Sequence, residues 1–193
     1  MPRVLAALPA LLLLAACGQP QGAQNAAYAA DAKAAQPVAS AITPAPAPVP
    51  AAADFVAKAA AGDAFELQAA AAAQGHADDA QVKAFAAMMA RDHAKSAADL
   101  RQAVAQSGLS LTPAGGLSAG QQQGLADLGK AAGHDFDKGY MAGQVQAHQD
   151  ALTLLQDYAQ NGDNPSLKAF AGEALRVVQH HYALAKSLRD SLQ

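Results

Sequence analysis

Three histidines and one glutamate stand where apolar residues are expected. Val82, Phe85, Met89, Ser96, Leu100 and Val104 recur at the three-and-four spacing of one helix face, and that face runs through His93. Met141, Val145, Leu152, Leu155 and Ala159 form a second face, interrupted by His148. Leu167, Phe170, Ala174, Val178, Ala185, Leu188 and Leu192 form a third, interrupted by His181. A thinner fourth face is made by Phe55, Ala59, Gly62, Ala69 and Ala73, and Glu66 lies on it three turns after Phe55. Each face therefore carries one ligand-capable side chain near its middle. Counted from the intervening turns, the members of a pair differ in height by about 6–10 Å at the rise of an α-helix. The four can share one layer.

Three imidazoles and a carboxylate suit a single divalent transition metal such as zinc, copper or nickel. The same four groups can also form a purely structural network, because buried polar groups normally satisfy one another. A buried carboxylate without partners is costly or takes up a proton. Glu66 therefore needs partners, and the histidines are the ones at hand. Asp92 is next to His93 but about 100° round the helix, which puts it at the rim, where it can orient a ligating imidazole. Di-iron bundles use a Glu-x-x-His pair on each of two helices. Here the residues three before His93, His148 and His181 are Ala90, Val145 and Val178. Oxygen-activating di-iron chemistry is not expected, no catalytic residue is assigned, and the chain reads as a binding or structural protein before an enzyme. Ser118, Ser166 and Ser187 have no nucleophile context. His180 falls off its stripe, and His76 and His134 fall at helix ends, so all three are expected at the surface. Of Met88 and Met89, only Met89 faces inward. Tyr140, Tyr158 and Tyr182 are expected at ends or edges, where their hydroxyls find partners. Asp157, Asp163, Lys168 and Arg189 read as solvated.

The elements that must position these residues lie in 54–193. This stretch holds only two prolines, Pro113 and Pro165, and no run alternates with period two. A first helix is expected over about 54–74, broken by Gly75 and His76. A second starts near Asp78 as N-cap and runs to about Ser107, with Gly108 past its end. Leu109 to Leu117 is a loop. Ser118 caps a short helix to about Ala132. Asp135 caps a third long helix to about Gln160, stopped by Asn161 and Gly162. Asn164 followed by Pro165 caps the fourth, which runs to the C-terminus. Short loops make the first pair and the last pair antiparallel. The fold class is all-α: an up-and-down antiparallel four-helix bundle with a short extra helix in the crossover between helices two and three.

Composition sets the rest. The chain has 193 residues, 52% of them apolar, but 55 are alanine, so more than half of the apolar total is methyl groups. Thirteen basic and sixteen acidic residues give a net charge of −3, which argues against nucleic acid as a partner. One cysteine excludes a disulfide framework and a thiolate zinc cluster. Residues 1–16 carry Arg3 and then the apolar run Leu5 to Ala16, the pattern of a secretory leader and too short to span a bilayer. Residues 17–53 contain six of the ten prolines and read as a semi-rigid Pro/Ala-rich tether.

Leu14, Ala15 and Ala16 before Cys17 resemble the lipobox of bacterial lipoproteins. That resemblance implies cleavage before Cys17, acylation of its thiol and attachment to a membrane through the lipid. Gly18, not aspartate, follows; by the same resemblance this implies the periplasmic face of the outer membrane. Residues 54–193 resemble the bacterial domain-of-unknown-function 4142 family of the ferritin-like superfamily. The matching pieces are Asp54, Phe55, Val56, Lys58 and Gly62 with Glu66; Val82, Lys83, Phe85 and Met89 with Asp92 and His93; Phe136, Asp137, Tyr140 and Met141 with His148; and Leu167, Lys168, Phe170, Ala171 and Leu175 with His181. Ala147 stands where the family often has aspartate before His148, and Arg176 follows Leu175 where it often has proline. The first departure removes a carboxylate from the polar layer; the second leaves the last helix straighter. The resemblance implies a ferritin-like bundle, commonly in the envelope, and no established activity. The expectations are thus an envelope lipoprotein with a binding or structural role, in envelope stress or metal handling. The alternatives are a metal-binding protein working through Glu66, His93, His148 and His181, or an adaptor that meets a protein partner through its helix faces.

Overall fold

The structure is a computed structural model and describes residues 51–193. The leader 1–16, Cys17 and the tether up to residue 50 lie outside the described residues. Within them there are five helices and no strand: α1 (Ala52–His76), α2 (Ala80–Gln106), α3 (Ala119–Leu128), α4 (Gly133–Asn161) and α5 (Pro165–Ser191). The four long helices and the short crossover helix are those expected, and their ends move by a few residues. α1 begins two residues before its expected start, within the stretch assigned to the tether. α2 is capped by Asp79, whose side chain accepts from the Gln81 and Val82 amides, and not by Asp78. α3 has a full capping box between Ser118 and Gln121. Asn164 accepts from the Ser166 and Leu167 amides and Pro165 fills the first turn of α5, as expected.

The start of α4 differs. Asp135 does not cap it; the helix already begins at Gly133, which adopts φ +63°. Only glycine takes that conformation without strain, and a Cβ there would meet Asp78 Oδ2 at 2.8 Å. The close approach serves the fold. One turn later, buried Asp137 accepts from the amides of Asp78 and Asp79. It thereby ties α4 to the turn between α1 and α2.

That clamp fixes the topology. α4 starts at the end of the bundle where α1 finishes, so the crossover carrying α3 travels the whole length. At the other end, Asn164 Nδ2 and the Ser166 hydroxyl donate to the carbonyls of Ser107 and Gln106. The long helices run up, down, down, up. The expected up-and-down order is corrected on this point, because a long crossover returns the chain to its starting end. Around the square the order is α1, α2, α5, α4, and every neighbouring pair remains antiparallel. α1 and α2 form one tight hairpin and α4 and α5 another; the hairpins touch each other less extensively.

The core is split in two. One cluster holds Phe55, Val56, Leu100, Val104, Leu155, Tyr158, Leu167, Phe170 and Val178. The other holds Val82, Phe85, Met89, Phe136, Tyr140, Met141, Ala185 and several α1 alanines. Between them lies a layer of buried polar side chains: Asp63, Glu66, His93, Gln144, His148 and His181. The stripes of α2 and α5 are close to those expected, with Ser96, Ala174, Leu188 and Leu192 only half-buried. The stripe of α1 is turned by one residue at its middle. Ala60 and Asp63 are buried where Ala59 and Gly62 were expected. On α4, Gln144 is buried and Val145 half-buried, for the same reason.

Candidate metal centre

The polar layer is built by counting from the turns. Asp63 and His93 each stand fourteen residues from the ends of the α1–α2 turn, Ala77 and Asp79, so they face each other. Asp63 Oδ1 lies 2.9 Å from His93 Nδ1, and both are buried. Glu66 is eleven residues before Ala77, and Gln144 eleven after Gly133. Gln144 Nε2 donates to Glu66 Oε2. Neither Asp63 nor Gln144 was among the residues expected in the layer. The count from the α1–α2 turn sets Asp63 at the height of His93, but which way the two side chains turn, and where Gly133 stands beside that turn, is fixed only in the folded chain.

His148 lies one turn beyond Gln144, and its Nδ1–H donates to the Gln144 carbonyl at 2.9 Å. Glu66 Oε1 is 3.8 Å from the same nitrogen, too far for a hydrogen bond. Glu66 was expected to find its partners among the histidines; its hydrogen bond comes from Gln144, because His148 spends its donor on its own helix. His181 Nε2 lies 3.0 Å from Asp92 Oδ2. Asp92 sits at the half-exposed rim, also bonded by Arg91 at 2.9 Å, and does orient an imidazole, that of His181.

Each imidazole thus has one nitrogen held by an oxygen acceptor. The opposite nitrogens are His93 Nε2, His148 Nε2 and His181 Nδ1. All three are buried and have no hydrogen-bond partner among the described residues. The three residues converge: one ligand atom from each lies within 4.8 Å of the others. The ring centroids are 5.4–5.8 Å apart. The Glu66 carboxylate is not among the converging atoms. An oxygen partner on one imidazole nitrogen fixes the tautomer and aims the other nitrogen's lone pair, the arrangement that supports ligating histidines. Three buried imidazoles, each with one nitrogen free of hydrogen bonds, fit a borderline metal ion.

The electrostatics agree. Burial pushes His148 down to about 3, helped by the charge of His93, so it is neutral at ordinary pH. Burial also lowers His181, more than its bond to Asp92 raises it. Burial opposes charge on His93 as well, but the hydrogen bond to Asp63 and the charges of Glu66, Asp63 and Asp92 outweigh it and hold His93 above the usual imidazole value. A metal there must displace a proton. Burial raises Glu66 above its ordinary value, against the opposing pull of His93 and Gln144. Asp92 stays below its ordinary value, because bonds to His181 and Arg91 overcome its desolvation.

The remaining residues singled out by type and spacing fall as follows. His134 and His180 are exposed, and His76 is half-buried against Phe136, with ring centroids 5.6 Å apart. Tyr158 ends the bundle and donates to Asp163 Oδ1 at 2.7 Å; Asp163, expected only to be solvated, also accepts from the Ala52 amide. Tyr140 is not at an end: it is fully buried, and its hydroxyl has no partner among the described residues. A cavity of about 1680 Å³ reaches the centre, lined by Gly62, Asp63, Glu66 and all three histidines among others.

Fold and site together define an all-helical bundle domain with a buried cluster of three histidines at its waist. The family model described as a domain of unknown function (DUF4142) matches residues 22–188, and the chain belongs to that family. Among solved structures it is similar to one titled "CopM in the Cu(II)-bound form", at 15% identity, with a TM-score of 0.64, over 76% of this chain and 100% of that one. At that identity the likeness speaks for the fold alone. No curated protein matches.

Proposed function

We propose that the protein binds one divalent transition-metal ion between His93, His148 and His181, and that copper(II) is the ion it handles. The observation that carries this is a cluster of three buried histidines whose ligand atoms come within 4.8 Å of one another and each of which keeps one nitrogen free of hydrogen bonds. A native core leaves few such groups unsatisfied, and three in one place need a common partner. Imidazole suits zinc, nickel and copper, and copper(II) binds most tightly of these to a given nitrogen site. The similar bundle whose title gives Cu(II) as bound supports the choice of copper. Glu66 takes no ligand position here. It lies behind His148 with Gln144, where it completes the polar layer. The role is one of binding and sequestration, carried out from a lipid anchor on Cys17 at the periplasmic face of the outer membrane.

The test is the metal content of the full-length chain after exposure to copper, zinc or nickel and removal of the excess. One copper per chain is expected. His148→Ala, which removes one imidazole of the cluster from a fully buried position, is expected to lose it while keeping its helical circular dichroism. Equal copper in wild type and variant would remove this site from consideration.

A further inference from the structure

The geometry points to an open coordination position facing α1, which takes a small neutral ligand bringing its own N–H or O–H, such as an amine or an imidazole, in preference to an anion. This rests on the metal-binding reading above. His93 comes from α2, His148 from α4 and His181 from α5, three corners of a four-cornered bundle. The fourth corner is α1, which offers no imidazole at this level. Three protein ligands leave a four-coordinate ion one ligand short, the pattern of a site that accepts an outside group.

What α1 brings to the shared cavity at this height is Gly62, Asp63 and Glu66. Gly62 has no side chain, and a Cβ built on it meets no atom within 4 Å among the described residues. The same holds for Gly143 on α4, across the seam and on the same cavity. The seam between α1 and α4 is therefore open where the fourth ligand would enter. The chemistry of the wall selects the ligand. Asp63 gives one oxygen to His93, while Oδ2 is buried and without a partner among the described residues. That oxygen can only accept, so a ligand with a hydrogen to donate satisfies it. An anion would bring its charge against that carboxylate in a poorly solvated place, where like charges repel strongly.

The experiment uses the full-length chain loaded with one copper(II). It is titrated with imidazole and separately with azide, following the visible ligand-field band, and copper retention is checked after each titration. A saturable shift with imidazole is expected. The imidazole-over-azide preference should exceed that of copper(II)–diethylenetriamine, an open three-nitrogen complex, by tenfold or more. Gly62→Leu, and independently Gly143→Leu, should weaken imidazole binding at least tenfold with copper content unchanged. Gly172→Leu on α5, whose Cβ also meets nothing and which does not line the cavity, should leave it unchanged. No response to either probe, a preference no greater than the reference complex, or wild-type behaviour in both seam variants would overturn the inference while leaving the metal site standing. Failure of the wild-type chain to hold copper would overturn the metal-binding reading and this inference with it.

Discussion

Asp63, Gln144 and Asp92 decide what the three histidines can do. Each of them, through a carboxylate or a backbone carbonyl, occupies one imidazole nitrogen and leaves the other bare. Desolvation makes the metal-free layer sensitive to acid, and the sign follows from linkage. His148 and His181 are held below the ordinary imidazole value, so in the unfolded chain they take protons first. Their contribution to stability is present above about pH 6.5 and is lost as pH falls, by up to about 1.4 kcal/mol per pH unit for each group. Glu66 and His93 work the other way, since both are held high and take protons first in the folded chain. Glu66 opposes them between its raised folded value and about pH 4.5, one group against two. His93 has its full effect below the unfolded imidazole value and so adds no slope there. The metal-free chain should therefore melt at a lower temperature at pH 5 than at pH 7, and His148→Gln should reduce the difference. Calorimetry of chelator-treated protein measures this; a melting temperature that rises on acidification would show that the imidazoles are already charged in the fold.

At the scale of the element, helix starts are easy to find where a side chain caps them and hard where the backbone does. Ser118 and Asn164 are legible because a short polar side chain before a helical run accepts from the first free amides. Asn164→Ala should cost about 1 kcal/mol in urea unfolding. α4 has no side-chain cap, and its entry is set by the positive φ of Gly133 against Asp78. That contact joins residues over fifty positions apart, so no local pattern announces it. Gly133→Ala combines strain with a clash, and an expected loss of roughly 1–3 kcal/mol follows. A neutral result in the same denaturation series would mean that α4 can begin three residues later, with Asp135 as its cap.

For the whole molecule, two apolar clusters held apart by a polar waist explain how a chain with so much alanine folds and still keeps a reactive centre. The larger side chains, Phe55 stacked on Tyr158 at 3.9 Å and Phe136 on Tyr140 at 5.8 Å, are gathered in the two clusters, one on either side of the waist. The proposed anchor belongs to this scale too. Cys17→Ser should move the protein from the membrane fraction to the soluble one and abolish labelling by a radioactive fatty acid, because thioether and amide acyl chains together hold far better than one. Retention of the variant in membranes would point to some other attachment. The sequence alone determined the helical class, the short crossover helix, the inward faces of α2 and α5 and the burial of Glu66, His93, His148 and His181. Periodicity and capping are local, and helix-forming residues express them without outside help. Only the tertiary structure decided that the crossover spans the bundle, that Asp63 meets His93, that Gln144 claims Glu66, and that three imidazoles rather than four groups converge. Those facts depend on the relative height and rotation of helices, which long-range contacts such as Asp137 to the α1–α2 turn set and which no single helix encodes.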